Sequence, residues 1–178
     1  DCYSHPAELR DELQKELGQF PLFKFWGPAT DVSSTQWIAD ASIYTDKKYD
    51  PTLTLIYLPH LDYCLQKYGQ DIAAIKKDLS EIDKIVEQLV SYYSAKKAKI
   101  ILLSEYGISN VDRPVHINRE LRKNDLLQIR TERGLELLDP GASKAFAVAD
   151  HQVAHIYCIN PSVTSQVREI LEQVPGIE

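Results

Sequence analysis

The chain has 178 residues, of which 26% are charged, and a formal net charge of -6 at pH 7. This length suits one domain with a hydrophobic core of its own. The negative charge excludes a nucleic acid polymer as partner, because proteins bind its phosphates through clustered Lys and Arg.

Two helices are predicted in the N-terminal quarter. The first, over residues 4–17, has Ser4 as a candidate N-cap and is followed by Gly18. An aromatic loop over residues 20–26 comes next and is expected to plug the core, with stacking against a substrate as the alternative. The apolar spacing over residues 33–44 predicts the second helix.

The middle of the chain has the pattern of a strand–helix–strand unit. Residues 53–58 and 99–104 are short apolar runs with β-branched members, and an acidic residue and then a glycine follow each run. Between the runs, an apolar stripe at helical spacing predicts a long helix over residues 71–95. The unit predicts parallel pairing of the two strands with a right-handed crossover.

The rest of the chain is predicted to form a short helix over residues 116–122 and a C-terminal helix over residues 161–174. Three strands are predicted between them, over residues 126–129, 145–149 and 153–159. Together these elements predict the α/β fold class, with a mostly parallel sheet flanked by helices on both faces. We expect a single α/β domain over residues 1–178.

Asp62 and Glu105 are the acidic residues that follow the two central strands. Open α/β sheets bind ligands at the carboxyl ends of their strands, and two carboxylates there make a plausible cation site. Helix capping is the simpler explanation for each residue alone. Gln66 lies four residues after Asp62, so a helix would place both on one face. His60 shares the direction of Asp62 if the chain is extended.

His151 and His155 flank the start of a later predicted strand. In an extended segment residues four apart point the same way, here either at the site or into the core. A histidine on an apolar strand is more often hydrogen-bonded packing than a ligand. The sequence has no Gly-rich phosphate loop, no G-x-S-x-G elbow and no H-E-x-x-H pair. The residues alone indicate an α/β domain with a candidate acidic and histidine site.

Cys2, Cys64 and Cys158 are scattered and form no C-x-x-C pair, which favours a reducing, cytoplasmic location over a zinc ribbon or redox motif. Cys64 and Cys158 are expected to pack as small hydrophobic residues.

No apolar stretch is long enough to cross a bilayer, so no membrane partner is expected. The chain starts at Asp1 and contains no methionine, so we expect a fragment of a longer protein. Its oligomeric state is left open.

The order of these pieces resembles the type I phosphodiesterase/nucleotide pyrophosphatase branch of the alkaline phosphatase superfamily. That branch has the motif Tyr-x-x-x-x-Asp-x-x-x-His-x-x-Gly after a strand, and Ser-Asp-His-Gly-Met after the next. The chain has Tyr57, Asp62, Gln66 and Gly69 at the spacing of the first motif, and Ser104-Glu-Tyr-Gly-Ile108 at the second.

A third segment of the branch, Leu-Asn-x-x-Leu, is matched by Ile117, Asn118 and Leu121. Order and spacing agree over roughly residues 50 to 130. The resemblance implies that the chain is the C-terminal part of an alkaline phosphatase-like catalytic domain.

In that family two metal ions, usually zinc, activate a Thr or Ser nucleophile that attacks phosphorus. The resemblance implies that Asp62 is a ligand of one metal ion and that Glu105 replaces an Asp ligand of the other. His151 or His155 would be the late histidine ligand. The family's nucleophile lies N-terminal to this segment, so no catalytic residue is assigned.

Three of these positions depart from the family pattern. Gln66 and Tyr106 stand where the family has histidines, and Glu105 stands where it has aspartate. Amide and phenol oxygens are poor zinc ligands. The changes therefore fit either an oxygen-rich site for a hard cation, such as manganese or magnesium, or the loss of metal binding. Zinc or manganese is the predicted cofactor. His60, Gln66 and Tyr106 are secondary candidates, His60 and Tyr106 for holding a phosphate oxygen.

The predicted function is a metal-dependent hydrolase of phosphodiester or nucleotide pyrophosphate bonds, acting on a small phosphorylated substrate. The alternative is a catalytically inactive relative that binds a phosphorylated ligand or a protein partner on the same site. A third hypothesis is a related hydrolase of a sulfate ester or a phosphonate.

Overall fold

The computed structural model describes residues 3–178, so that Cys2 lies outside the described part. The chain divides into two compact units, Asp1–Val111 and Asp112–Glu178. Each unit has its own hydrophobic clusters and is described by itself.

The first unit is helical. Its helices are α1 (Glu8–Leu17), α2 (Val32–Tyr49), α3 (His60–Tyr68) and α4 (Ile72–Ala95), with a 3-10 turn at Leu22–Lys24. Asp31 and Asp71 cap α2 and α4, because their carboxylates accept hydrogen bonds from one and two backbone N–H groups of the first helical turn, respectively. The helices predicted over residues 33–44 and 71–95 are confirmed. The first predicted helix is confirmed only from Glu8 onward, with Ala7 and not Ser4 at its N-cap position. α3 begins at His60, inside the segment whose pattern indicated a strand end.

The core of the first unit forms between α2 and α4. Ala39, Ile85 and Leu89 are buried there, and Ile56 and Leu58 pack against them. A second cluster joins α1 to α2 through buried leucine and alanine side chains, namely Leu9, Leu13 and Ala41. The amphipathic stripe of α4 thus packs as its spacing predicts.

The prediction of a mostly parallel sheet flanked by helices is wrong. The described residues form two separate two-stranded antiparallel sheets and no parallel pair. Neither apolar segment of the predicted unit, residues 53–58 or 99–104, is a strand. Within the described part of the chain, no backbone–backbone hydrogen bond involves either segment. A strand needs a neighbour at hydrogen-bonding distance, and these two segments do not supply one to each other.

The second unit consists of hairpins and helices. In chain order it contains α5 (Ile117–Lys123), β1 (Ile129–Glu132), β2 (Leu135–Leu138), β3 (Ala145–Asp150), β4 (Val153–Cys158) and α6 (Pro161–Leu171). β1 pairs with β2 and β3 pairs with β4, both antiparallel. Arg133 and Gly134 join β1 to β2 with positive φ at both residues, as a tight primed hairpin turn requires.

The core of the second unit is built around α5 and α6. Leu121 and Leu126 are almost completely buried, and Ala145 of β3 lies beside them. Val163, Val167 and Leu171 of α6 complete the cluster, at the spacing of one helical face. Cys158 packs against this cluster from β4, as expected for a small hydrophobic residue. Among the described residues, no helix has the length and apolar character that crossing a membrane requires. The prediction of a single domain over residues 1–178 stays a prediction.

Candidate functional site

Asp62 is the centre of a hydrogen-bonded cluster in the first unit. Its Oδ2 accepts a hydrogen bond from Trp26 Nε1 at 2.8 Å, and its Oδ1 accepts one from Gln66 Nε2 at 3.0 Å. The Tyr106 hydroxyl donates to the same Oδ1. We call these four residues the Asp62 cluster.

Three parts of the chain position this cluster. α3 places Asp62 and Gln66 one turn apart on the same face, as their spacing predicts for a helix. Tyr106 reaches Asp62 from the segment that follows residues 99–104, so that these two parts of the chain are in contact at Asp62. Trp26 arrives from the aromatic loop and packs its ring edge-to-face against Tyr63, with the centroids 5.5 Å apart.

Trp26 was not among the residues predicted for the site. The aromatic loop was expected to plug the core, and Phe20 does pack edge-to-face against Phe25 and Trp37. Trp26 instead remains half exposed and donates its indole N–H to Asp62. The sequence shows Trp26 only as an aromatic residue in a loop, and this pattern does not distinguish packing from a hydrogen-bonding role.

The charges of Asp62 and Glu105 act on two neighbouring phenols. The hydrogen bond to Asp62 raises the pKa of Tyr106 to about 12, and partial burial and nearby negative charge contribute in the same direction. Partial burial raises the pKa of Tyr57, with additional contributions from the charges of Asp62 and Glu105. Glu105 itself is exposed. Its charge nevertheless contributes to the raised pKa values of Tyr106 and Tyr57, so it adds to the negative potential around the Asp62 cluster.

His60 lies away from Asp62. Because α3 begins at His60, Asp62 is rotated by about 200° around the helix from it, and the shared direction expected of an extended chain does not arise. The imidazole is buried against α4, where Nε2 lies 3.5 Å from Asp78 Oδ1 and 3.3 Å from Glu81 Oε2. Cys64 is also buried on α3, and this burial, followed by the charge of Asp78, raises the pKa of its thiol to about 11.

His151 and His155 belong to the second unit. His151 is at the β3–β4 turn with a φ of 54°, and its Nε2 lies 3.5 Å from Asp150 Oδ1. His155 is exposed on β4, opposite Val148 of β3. The two side chains do not follow a single extended segment, because the turn interrupts it. Their role as metal ligands with Asp62 and Glu105 stays a prediction.

Gly69 of the first motif has a local structural role. It follows α3 with a φ of 60°, a conformation that favours glycine. A Cβ there would collide with Asn110 Oδ1, which accepts a hydrogen bond from Gln70 N at 3.1 Å. Gln70 Nε2 also donates to Ile108 O at 2.7 Å. The glycine thus lets the end of α3 hold the loop that follows Tyr106.

The third motif segment has a structural role in the second unit. Asn118 donates through Nδ2 to Ala147 O at 2.9 Å and accepts through Oδ1 from Ala147 N at 2.7 Å. Its side chain therefore pairs with β3 as a neighbouring strand would. Leu121, one turn later, is completely buried in the core. These two contacts give the Asn-x-x-Leu pattern a structural explanation.

A family model described as Type I phosphodiesterase / nucleotide pyrophosphatase matches residues 2–175. The chain belongs to this family, which is part of the alkaline phosphatase superfamily. It is therefore a relative of phosphoryl-transfer hydrolases, in a family that is normally metal-dependent. No curated protein and no solved structure matches the chain significantly.

The side chains around Asp62 carry oxygen atoms of three kinds, namely carboxylate, phenol and amide. The Asp62 carboxylate and the Tyr106 hydroxyl are in direct contact. The Gln66 amide lies against the same carboxylate, and a flip of this amide would exchange its nitrogen for its oxygen. Carboxylate, amide and phenol oxygens suit manganese or magnesium, whereas zinc prefers imidazole and thiolate.

Proposed function

We propose that the protein hydrolyses phosphodiester or nucleotide pyrophosphate bonds of a small phosphorylated substrate, with a divalent cation held at the Asp62 cluster. One observation carries the proposal: the segments that match the family's two metal-ligand motifs meet at Asp62, where Tyr106 donates its hydroxyl hydrogen bond. The membership of the chain in a family of phosphoryl-transfer hydrolases supports the reaction type.

Each residue of the proposed site, which consists of the Asp62 cluster and Glu105, has a separate role. Asp62 and Glu105 supply the carboxylates that hold the cation, and manganese suits their oxygen atoms. The cation, when bound, stabilises negative charge on the phosphoryl oxygens. Trp26 fixes the orientation of the Asp62 carboxylate through its indole N–H. Tyr106 keeps its proton at neutral pH, because its pKa is about 12. It donates this proton to Asp62 here, and it would donate it to a phosphate oxygen instead when a cation occupies the Asp62 carboxylate.

The test uses the full-length gene product. Bound metal is measured by elemental analysis, and hydrolysis of bis(4-nitrophenyl) phosphate is measured with added manganese and with added zinc. We expect near-stoichiometric metal, turnover that manganese supports better than zinc, and a loss of about 100-fold or more in Asp62→Asn. Asp83→Asn, which removes the same charge from an exposed position of α4, should leave turnover unchanged.

A second candidate function is a non-catalytic relative that binds a phosphorylated ligand. The observation in its favour is that Trp26, Gln66 and Tyr106 all donate hydrogen bonds to Asp62, so that a cation would have to compete with these donors. A metal-free protein without turnover that still binds a nucleotide in isothermal titration calorimetry would support this candidate and exclude the hydrolase.

A further inference from the structure

We propose that His60, Asp78 and Glu81 form a second divalent-cation site, of the kind that zinc occupies, on the side of α3 facing α4. This site is separate from the Asp62 cluster and does not depend on the proposed function. It is the one place in the described part of the chain where three side chains of metal-ligand type come within 4.8 Å of one another.

The distances from His60 Nε2 to the two carboxylates fit the ligand spacing of a tetrahedral ion. Nε2 of His60 lies 3.5 Å from Asp78 Oδ1 and 3.3 Å from Glu81 Oε2. Zinc bonds of about 2.0–2.2 Å arranged tetrahedrally separate neighbouring ligand atoms by about 3.4 Å. The two distances from Nε2 are therefore those expected between ligands of one zinc ion, and the two carboxylate oxygens lie within 4.8 Å of each other.

The burial of His60 provides an independent indication of a ligand. The side chain is 1% exposed, and neither Nδ1 nor Nε2 has a hydrogen-bond partner among the described residues. A buried polar nitrogen without a partner is unfavourable, because burial removes its hydrogen bonds to water. The two carboxylates approach Nε2 without forming a hydrogen bond, and a cation between the three groups would satisfy this nitrogen.

The two carboxylates face a common point because α4 places them there. Asp78 and Glu81 are three residues apart and therefore lie on one face of the helix. Their side chains remain 29% and 27% exposed, which leaves room for a water molecule as fourth ligand. Lys77 pairs with Glu81 at 3.6 Å from a solvent-exposed position. A bound ion would join the start of α3 to the middle of α4.

Cys64 is a neighbour of this site but not one of its ligands. It lies one turn after His60 on α3, and its thiol donates a hydrogen bond to Leu61 O at 3.2 Å. A site of one nitrogen and two oxygens differs from one that includes sulfur, because only a thiolate ligand gives cobalt a sulfur-to-metal charge-transfer band. Cobalt is therefore a useful substitute for zinc in testing the ligand set.

The test is metal binding to the metal-free full-length protein, with zinc chloride followed by calorimetry and cobalt chloride followed by visible absorption. We expect a zinc site whose affinity falls about 10-fold or more in the double variant Asp78→Asn/Glu81→Gln. Tetrahedral cobalt bands without a sulfur charge-transfer band are expected in the parent protein. Zinc should also raise the melting temperature of the parent protein more than that of the double variant.

Two controls distinguish zinc binding at this site from non-specific binding to surface carboxylates and from binding at the Asp62 cluster. Asp83→Asn/Glu87→Gln removes the same two charges from exposed positions of α4 and should keep the zinc affinity. Asp62→Asn should also keep it, even where it abolishes turnover. The proposal is overturned if the double variant at Asp78 and Glu81 binds zinc as tightly as the parent protein. It is also overturned if Asp62→Asn removes all zinc binding.

Discussion

At the scale of single residues, Gln66 and Tyr106 change the character of the site. The family has histidines at both positions, whereas here an amide and a phenol donate hydrogen bonds to Asp62. Imidazoles would offer nitrogen atoms to a metal ion, and these replacements instead offer oxygen atoms and hydrogen-bond donors. The same two substitutions therefore underlie both the manganese proposal and its non-catalytic alternative.

The glycine of the first motif gives a prediction at the same scale. Gly69→Ala should destabilise the protein by about 1 kcal/mol more than Gly18→Ala, because its Cβ displaces Asn110 from the backbone N–H of Gln70. Gly18 is a matched control, since it follows α1 with a φ of 77° and has no atom within 4 Å of an added Cβ. Urea unfolding followed by circular dichroism measures both free energies. Equal losses in the two variants would contradict the role assigned to Asn110.

How far the sequence predicts the site depends on the separation of the residues. The contact between Asp62 and Gln66 follows from their spacing on a helix. The contact of Asp62 with Tyr106 spans 44 residues, and that with Trp26 spans 36, so both depend on how the segments pack. The group of His60 with Asp78 and Glu81 was also not predicted, because it needs the helical start of α3 beside α4.

At the scale of elements, an ion pair with a buried carboxylate joins α2 to the C-terminal end of α4. Asp46 is 3% exposed and accepts hydrogen bonds from Lys96 Nζ and from Tyr92 Oη. The ammonium of Lys96 lowers the pKa of Asp46, although burial acts in the opposite direction. Asp50, which is 87% exposed, pairs with the same lysine at 2.8 Å. The two aspartates therefore make the same ion pair with Lys96, one from a buried and one from an exposed position.

Asp46→Asn should lower the free energy of unfolding at pH 7 by about 2 kcal/mol, because Lys96 loses a buried, charged partner. Asp50→Asn should change it by less than about 0.5 kcal/mol, since an exposed pair contributes little. Asn also tolerates the positive φ of 44° at position 50. Urea unfolding of both variants measures the difference, and similar losses would contradict the importance of burial.

The contribution of Asp46 to the free energy of unfolding should decrease at low pH, because folding lowers the pKa of this carboxyl. A carboxyl whose pKa is lowered by folding stabilises the protein above its unfolded pKa of about 4. This contribution is lost as the pH falls through the lower pKa of the folded state. The difference in unfolding free energy between the wild-type protein and Asp46→Asn should therefore shrink below pH about 4. A difference that stays constant down to pH about 2 would contradict the lowered pKa.

At the scale of the whole molecule, the two apolar segments that were predicted as strands are notably exposed. In residues 53–58 the exposed and half-buried side chains alternate, with Ile56 and Leu58 on the core side. In residues 99–104 all side chains are exposed, and Ile101 and Leu103 reach 83% and 75%. Runs of this composition normally lie buried on both faces of a sheet, and an exposed apolar patch favours association.

These segments should bind a hydrophobic dye. We expect the protein to enhance the fluorescence of 8-anilinonaphthalene-1-sulfonate, and Ile101→Lys/Leu103→Lys to reduce this enhancement while the unfolding free energy changes by less than about 0.5 kcal/mol. Gln19→Lys/Gln152→Lys adds the same charge at exposed polar positions and should not reduce it. Equal fluorescence in all three proteins would show that the dye binds elsewhere.

The sequence by itself determined the family and most of the helices. Helical periodicity, caps and turn residues act within a few positions, so α1, α2, α4, α5 and α6 follow from local patterns, as do the strands β3 and β4 but not their antiparallel pairing. Only the tertiary structure decided that residues 53–58 and 99–104 have no strand partner in the described chain, and that Trp26 and Tyr106 meet at Asp62. Strand pairing and side-chain clusters join residues that are distant in sequence, and no local pattern specifies which of them come into contact.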